Sequence, residues 1–233
     1  MAEEIEFWDF EDAEEMIGAA VGDVKFIIES ALDARGQALV AFPGGSTAQP
    51  FLERLAATDL RWKNVTIIPT DERLVPVDDP LSNIASIAKT FLPLGARVLP
   101  LNSEAEDYQL AGNAANARLA DLQWPPDLVW LGMGADGHTA SIFPGPDMEA
   151  AIEAADDVRA IGVEPDPMPE AAAVQRVTLT ASAIRQARTA MLVLTGADKR
   201  AVLDDAIAQG ELSPYPIGRV IEKITVPIDI YCM

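Results

Sequence analysis

The chain has 233 residues, 49% of them apolar, and a formal charge of −20. That is enough apolar matter for one large α/β core, while the acidity argues against a sequence-independent grip on nucleic acid or an anionic membrane surface, since both need a basic face. A small anionic substrate stays open, and with only 17 Lys and Arg in the chain each one near a glycine loop carries information.

The N-terminal MAEEIEFWDF has neither a basic start nor a long apolar core, so it does not read as a secretory signal. No apolar run reaches the roughly eighteen residues of a membrane span. Cys232, the one cysteine, cannot form an internal disulfide, which fits a reducing compartment, and it reads as an inert small apolar residue. A cytoplasmic location is therefore expected.

Apolar residues at Phe10, Ala13, Ile17, Val21, Val24, Ile27, Ile28 and Ala31 recur at three or four, the period of an amphipathic helix, and Gly36 is its expected stop. ALVAF (Ala38–Phe42) predicts a short buried strand, PGGST follows, and residues 48–57 predict a helix with Pro50 in its first turn. VTIIP (Val65–Pro69) predicts a second strand that ends in TDER. A proline-bearing loop then leads to Ser82 as the N-cap of a helix over residues 84–91. Residues 98–101 predict a brief strand, and Ser103 with Glu106 has capping-box spacing for a helix running to Leu122. LVWL (Leu128–Leu131) predicts a buried strand that runs into a glycine-rich loop holding the only histidine, His138.

Past Pro146, residues 148–155 predict a short helix, 159–163 a strand, and EPDPMPE (164–170) an exposed irregular loop. RVTL (Arg176–Leu179) predicts a strand, Thr180 the cap of a short helix to Ala187, and AMLVL (Ala190–Leu194) a buried strand. TGADK opens a helix to Ala208. The last strand is expected at residues 225–231, with Pro227 pointing to a sheet edge. Alternating strands and helices without a repeat or a composition break predict a single domain over residues 1–233. Its expected fold class is α/β, a mainly parallel, Rossmann-like sheet flanked by helices.

In such sheets ligands lie outside the carboxyl ends of the strands. Four segments carry polar residues directly after an apolar strand, at 44–47, 71–73, 134–138 and 196–199, and all four are expected to face one crevice. Gly44, Gly45, Ser46 and Thr47 precede a helix, where glycines let backbone N–H groups approach an oxyanion. The loop also spells G-x-S-x-A, near the nucleophile elbow of serine hydrolases, but Ala48 replaces the final glycine and counts against Ser46 as nucleophile. Asp71, Glu72 and Arg73 form a charge cluster at a strand end. Arg73 suits a bidentate phosphate contact, Asp71 a sugar hydroxyl or the imidazole, and Glu72 is expected to point away.

Gly132-Met133-Gly134-Ala135-Asp136-Gly137 matches G-x-G-x-x-G after a strand. A dinucleotide site, however, needs a helix opening at the third glycine, and Pro144 and Pro146 arrive too soon. His138 instead reads as a proton carrier beside Asp136. Lys199 and Arg200 stand in the first turn of a helix, where the dipole disfavours cations; an anionic ligand resolves that conflict. No spaced set of His, Cys and acids reads as a metal site, so no metal and no cofactor are expected.

FPGGST at 42–47, TDERLVP at 70–76 with Ser82 and Asn83, GMGADGHTASIFPG at 132–145, RVTLT at 176–180 and TGADKR at 195–200 together resemble the glucosamine-6-phosphate isomerase/deaminase-like superfamily, on its 6-phosphogluconolactonase branch. The resemblance covers nearly the whole chain. Amino-sugar deaminases resemble an AFNEP run after DGH, whereas here TASIFPG follows His138. The resemblance implies hydrolysis of 6-phospho-D-glucono-1,5-lactone to 6-phosphogluconate, a carboxylic-ester hydrolase step of the oxidative pentose phosphate pathway.

On that reading His138 is the general base for water, with Asp136 beside it, and a histidine's ordinary pKa of about 6.5 suits the task. Arg73 and Lys199 hold the phosphate, helped by Gly44, Gly45, Ser46 and Thr47 and by Arg176. Asp71, Ser82 and Asn83 complete the substrate contacts, and Gly134 and Gly137 shape the histidine loop. The expected partner is a small phosphorylated sugar lactone, with no nucleic acid, no membrane and a monomeric state. An amino-sugar-phosphate isomerase or deaminase, and a non-catalytic sugar-phosphate-binding module, are the alternatives.

Overall fold

A computed structural model describes residues 5–102 and 107–233. Ten strands and eight α-helices are found among them. In order they are β1 (Ile5–Asp9), α1 (Ala13–Arg35), β2 (Ala38–Phe42), α2 (Gln49–Ala56), β3 (Val65–Pro69), β4 (Asp71–Arg73), α3 (Asn83–Phe91), β5 (Arg97–Val98) and α4 (Tyr108–Ala120). Then follow β6 (Leu128–Leu131), α5 (Met148–Ile152), β7 (Ala160–Val163), β8 (Arg176–Leu179), α6 (Ala181–Arg185), β9 (Ala190–Leu194), α7 (Ala197–Gln209), α8 (Pro216–Lys223) and β10 (Ile228–Cys232).

Seven strands form one parallel sheet in the order β1-β10-β9-β6-β2-β3-β5. Its central strands are apolar at every position because both faces are covered. Along β6, Leu128 and Trp130 point into the core beneath α1, α2 and α3, while Val129 and Leu131 point into the other core with α4, α6 and α8. The same alternation runs through β2 and β9. Trp130 meets Phe42 and Phe51 edge-on, at centroid distances of 5.9 and 5.4 Å, the geometry that ring quadrupoles favour.

The chain passes from β2 outward to β3 and β5, then returns to lay β6 on the other side of β2. That reversal is a topological switch point, and the carboxyl ends of β2 and β6 splay apart there to leave a crevice.

Several expectations need correction. Asp71, Glu72 and Arg73 are strand β4, in a second, antiparallel sheet of order β4-β8-β7. No alternation of apolar residues announces this strand, because its pairing with Arg176–Leu179 lies about a hundred residues away in sequence. β10 is an interior strand, between β1 and β9; Pro227 stands just before it and costs the ladder nothing. β1 takes the edge instead, and its mostly exposed residues gave no buried pattern. α8 was hidden by its flanking prolines and by Gly218, which a close approach to the Ala206 carbonyl requires. The expected cap pair Ser103 and Glu106 lies outside the described residues, and α4 is capped by Asp107, which accepts the Leu110 N–H at 2.7 Å.

The second sheet is held to the first domain layer through α4. Gly112 of α4 faces Gly162 of β7 so closely that a Cβ on Gly112 would stand 1.9 Å from the Gly162 nitrogen, and one on Gly162 would stand 1.7 Å from the Tyr108 carbonyl oxygen. Both clashes are with backbone, which cannot swing aside. Gly112→Ala is expected to destabilise the fold by about 1–3 kcal/mol, the usual cost of overpacking. Urea unfolding measures this, and an unchanged midpoint would contradict the packing described.

Candidate active site

At the switch point the carboxyl edge of the parallel sheet opens into a cleft of about 520 Å³. Pro43 to Thr47 line it from the loop after β2, Asp71 and Arg73 from β4, Gly132 to Gly134 and His138 from the loop after β6, and Lys199 from α7. Asn83 at the start of α3 and Arg176 at the start of β8 complete the wall. Each of the four expected segments thus reaches one crevice.

His138 is fixed on two sides. Its Nδ1 lies 2.5 Å from Asp136 Oδ1, which also accepts the His138 backbone N–H at 3.2 Å. The imidazole stacks on Phe143 at 4.1 Å between centroids and 22° between planes. Gly134 makes the pair feasible, since a Cβ there would stand 2.2 Å from Nδ1 and 2.6 Å from Asp136 Oδ1. Gly137, at φ +74°, turns the chain between the two residues. After it the backbone folds into a tight bridge between Thr139 and Ile142 rather than a helix, which removes the dinucleotide reading.

Partial burial alone would raise the Asp136 carboxyl, but its hydrogen bond to His138 and the imidazole charge outweigh that and hold it below the usual carboxylate range. An ionised Asp136 favours the tautomer that carries its proton on Nδ1, facing the carboxylate. Among the described residues Nε2 makes no hydrogen bond, so its lone pair is free for a proton.

Three cations line the same cleft without a carboxylate ion pair among the described residues. Arg73 Nη1 donates to the Leu81 carbonyl and to Asn83 Oδ1, both at 2.8 Å. Arg176 Nη2 donates to the Ala172 carbonyl at 3.1 Å, and its guanidinium lies 5.0 Å from the Phe143 ring centre. Lys199 Nζ donates to the Met133 carbonyl at 2.8 Å. The Nε groups of Arg73 and Arg176 are buried and have no hydrogen-bond partner among the described residues. Burial weakens the hold of Arg176 on its proton, only partly offset by Asp71 and Asp136, yet an arginine does not lose that proton in a protein. Buried, unpaired donors of this kind are costly until an anion meets them.

Glu72 does not point away. It is fully buried, with Oε1 accepting from the backbone N–H of Asn83 and Arg73 at 2.8 and 2.9 Å. Its Oε2 accepts from Ile84 N–H at 2.7 Å and Ser82 Oγ at 3.3 Å. Burial raises its pKa more than these backbone donors lower it, and Asp71 adds to the rise. The carboxylate sits at the N-terminus of α3, where the dipole favours it, and pins Asn83 and Arg73 to each other.

Ser82 accordingly stands behind the cleft, capping α3 through the Ala85 N–H at 3.2 Å. Asn83 does face the cleft, pressed against Gly44, where a Cβ would stand 2.0 Å from Asn83 Oδ1. Asp71 is buried beside it, and Ser141 donates to its Oδ2 at 2.5 Å. Gly45 takes φ +88° in the loop. Ser46 and Thr47 are exposed there, and the imidazole's partner is Asp136 rather than Ser46. Arg200, next to Lys199, turns away to Asp9 and Asp204.

The sequence reading missed Ser141, Phe143 and the buried role of Glu72. Phe143 and Ser141 lie in the same TASIFPG run as His138, so their spacing was visible but not their direction.

A profile of the family described as glucosamine-6-phosphate isomerases/6-phosphogluconolactonase matches residues 11–226. A protein named 6-phosphogluconolactonase from Rhizobium meliloti is 36% identical over 226 residues, covering 95% of this chain and 96% of its own. One of the same name from Neisseria meningitidis is 34% identical, covering 91% and 92%. Among solved structures, a 6-phosphogluconolactonase from Shewanella baltica superposes with a TM-score of 0.91 at 28% identity, covering 100% of this chain and 99% of that one. The fold alone is shared with a monomeric glucosamine-6-phosphate deaminase, at a TM-score of 0.79 and 16% identity over 97% of each chain.

All four groups around the Glu72 carboxylate are donors, so an amide in its place turns an N–H₂ toward two of them. Glu72→Gln is expected to lower stability by about 1–3 kcal/mol, measured by urea unfolding at neutral pH. A variant as stable as the parent would contradict the anchoring role.

Proposed function

The chain belongs to the glucosamine-6-phosphate isomerase/6-phosphogluconolactonase family, and on that premise we propose that it hydrolyses 6-phospho-D-glucono-1,5-lactone to 6-phosphogluconate. The observation that carries this reading is a single oriented imidazole, free at Nε2, in a cleft that gathers three cations lacking carboxylate partners.

The substrate has one strong anionic group and one electrophilic carbonyl, and the cleft offers a complement to each. Arg73, Arg176 and Lys199 receive the phosphate, with the buried Nε groups of the two arginines gaining the acceptor they lack. His138 Nε2 takes a proton from water as the water oxygen bonds to C1. The tetrahedral intermediate collapses by breaking the bond from C1 to the ring oxygen, and the imidazolium returns the proton to that oxygen. The new carboxylic acid then releases a proton to solvent.

Asp136 stabilises the imidazolium between the two transfers. It also fixes which nitrogen does the work, in the way an orienting carboxylate serves a catalytic histidine elsewhere. No serine nucleophile and no covalent intermediate are required. Asp71 and Asn83 fit sugar hydroxyls, as an acceptor and an amide at the cleft wall.

The pathway assignment, the second step of the oxidative pentose phosphate route, rests on this substrate. A monomer in the cytoplasm is the setting we assign to it. No helix among the described residues is long and apolar enough to cross a membrane.

Base uptake under pH-stat on freshly generated 6-phosphogluconolactone, corrected for spontaneous hydrolysis, is expected to rise in proportion to added protein. Ammonia release from glucosamine 6-phosphate with no lactone turnover would favour the deaminase alternative. Arg73→Ala and Lys199→Ala are each expected to raise KM about tenfold or more, the size of a lost charged hydrogen bond, and to affect an unphosphorylated lactone far less. Equal losses on both substrates would contradict the phosphate assignment.

A further inference from the structure

A second hollow, of about 170 Å³, lies at the opposite edge of the parallel sheet. It is bounded by residues at the start of β2 (Ala38 and Leu39), β3 (Thr66) and β5 (Arg97), by Asp127, which directly precedes β6, and by Arg188, two residues before β9. Arg35, the last residue of α1, closes it, and Leu122, Trp124 and Pro125 give it an apolar wall. The strands between this hollow and the cleft are four or five residues long. At about 3.3 Å per residue no small ligand touches both places.

Three guanidiniums and two carboxylates, Asp121 and Asp127, line the hollow, so it is net positive in a chain whose formal charge is −20. Asp127 is buried and engaged at both oxygens: Oδ2 accepts the Leu39 N–H at 2.9 Å. Its Oδ1 takes Arg35 Nη2 at 2.5 Å and Arg188 Nε at 3.4 Å. A purely structural clasp accounts for Asp127 and Arg35, which tie the end of α1 to the start of β6. It does not account for Arg97, an exposed side chain with no hydrogen bond or ion pair among the described residues, nor for the donors that the exposed Arg35 and Arg188 have left over. The three guanidiniums are exposed, so water screens their mutual repulsion, but their free donors share one hollow that an anion can enter.

We propose that this hollow is a second anion site, for a small phosphate-bearing molecule. Arginines from three separate segments approach the space, which suits a tetrahedral phosphate with acceptors on several sides better than a planar carboxylate, which presents two. The apolar wall of Leu122, Trp124 and Pro125 receives whatever the phosphate is attached to. The site faces away from His138, so its ligand is bound rather than turned over. The strands that begin here end in the Gly44 and Gly132 loops of the cleft, which places the ligand where it acts on the rigidity of those strands.

The test is calorimetric titration of inorganic pyrophosphate into protein whose cleft has been disabled by Arg73→Ala and Lys199→Ala together. One saturable site is expected to remain. Adding Arg97→Ala to that protein is expected to weaken the remaining site roughly tenfold or more. Arg97 has no partner to lose, so this replacement leaves the fold intact, and in the otherwise unaltered enzyme it leaves lactone turnover unchanged. Parallel titrations of citrate distinguish a phosphate site from a general polyanion site, with weaker binding of citrate expected. The proposal is overturned if the cleft-disabled protein shows no saturable binding. It is equally overturned if its binding survives both Arg97→Ala and Arg188→Ala, or if citrate binds as tightly as pyrophosphate.

Discussion

Every strand of the large sheet runs in one direction, and this one constraint decides where chemistry can occur. Strands buried on both faces must be apolar along their length, so the polar groups of β2, β3, β6 and β9 are confined to their ends. Because the strands are parallel, all their carboxyl ends open on the same edge. The switch from β2 to β6 then parts that edge and leaves room for a ligand. Segments far apart in sequence, holding Gly44, His138 and Lys199, converge because the parallel strands before them share one direction, and Asp71 of β4 joins them there; hydrogen bonds from Lys199 to the Met133 carbonyl and from Ser141 to Asp71 then tie them together.

Within the cleft, positions are set by close approach more than by strong bonds. Gly134 admits the imidazole and carboxylate of His138 and Asp136, and Gly44 admits the side chain of Asn83. Glu72 is the exception, a buried carboxylate that accepts four donors and fastens β4 to the start of α3. Phe143 stacks on the imidazole and also lies beneath the Arg176 guanidinium, so one ring sets the positions of His138 and Arg176 relative to each other. The unpartnered Nε groups of Arg73 and Arg176 are buried, where water and salt screen them little despite the acidity of the chain.

Much of this was legible in the amino-acid sequence, and the parts that were not share a cause. β2, β3, β6, β8 and β9 were bounded correctly because an apolar run between turn residues is a local signal, and Gly36 and Ser82 act as the expected stop and cap of their helices. The loops could be placed on one edge because parallel topology follows from alternation. By contrast β4, β1 and the interior position of β10 depend on partners remote in sequence, and no local pattern carries them. Glu72 looked like a solvated charge because three of its four donors, Ser82, Asn83 and Ile84, lie at the start of the next helix, about ten residues on. The direction of a side chain was the least legible property: Ser82 and Asn83 are neighbours, yet one caps the helix behind the cleft and the other lines it.

The central claim is that His138 carries the proton between water and the ring oxygen. It is tested most directly by His138→Ala, with turnover of 6-phosphogluconolactone followed under pH-stat and binding of 6-phosphogluconate measured by calorimetry on the same protein. Turnover is predicted to fall by about two to four decades, the size of a lost general base, while product binding is kept. Near-normal turnover, or a loss of turnover that merely tracks a loss of binding, would contradict the account.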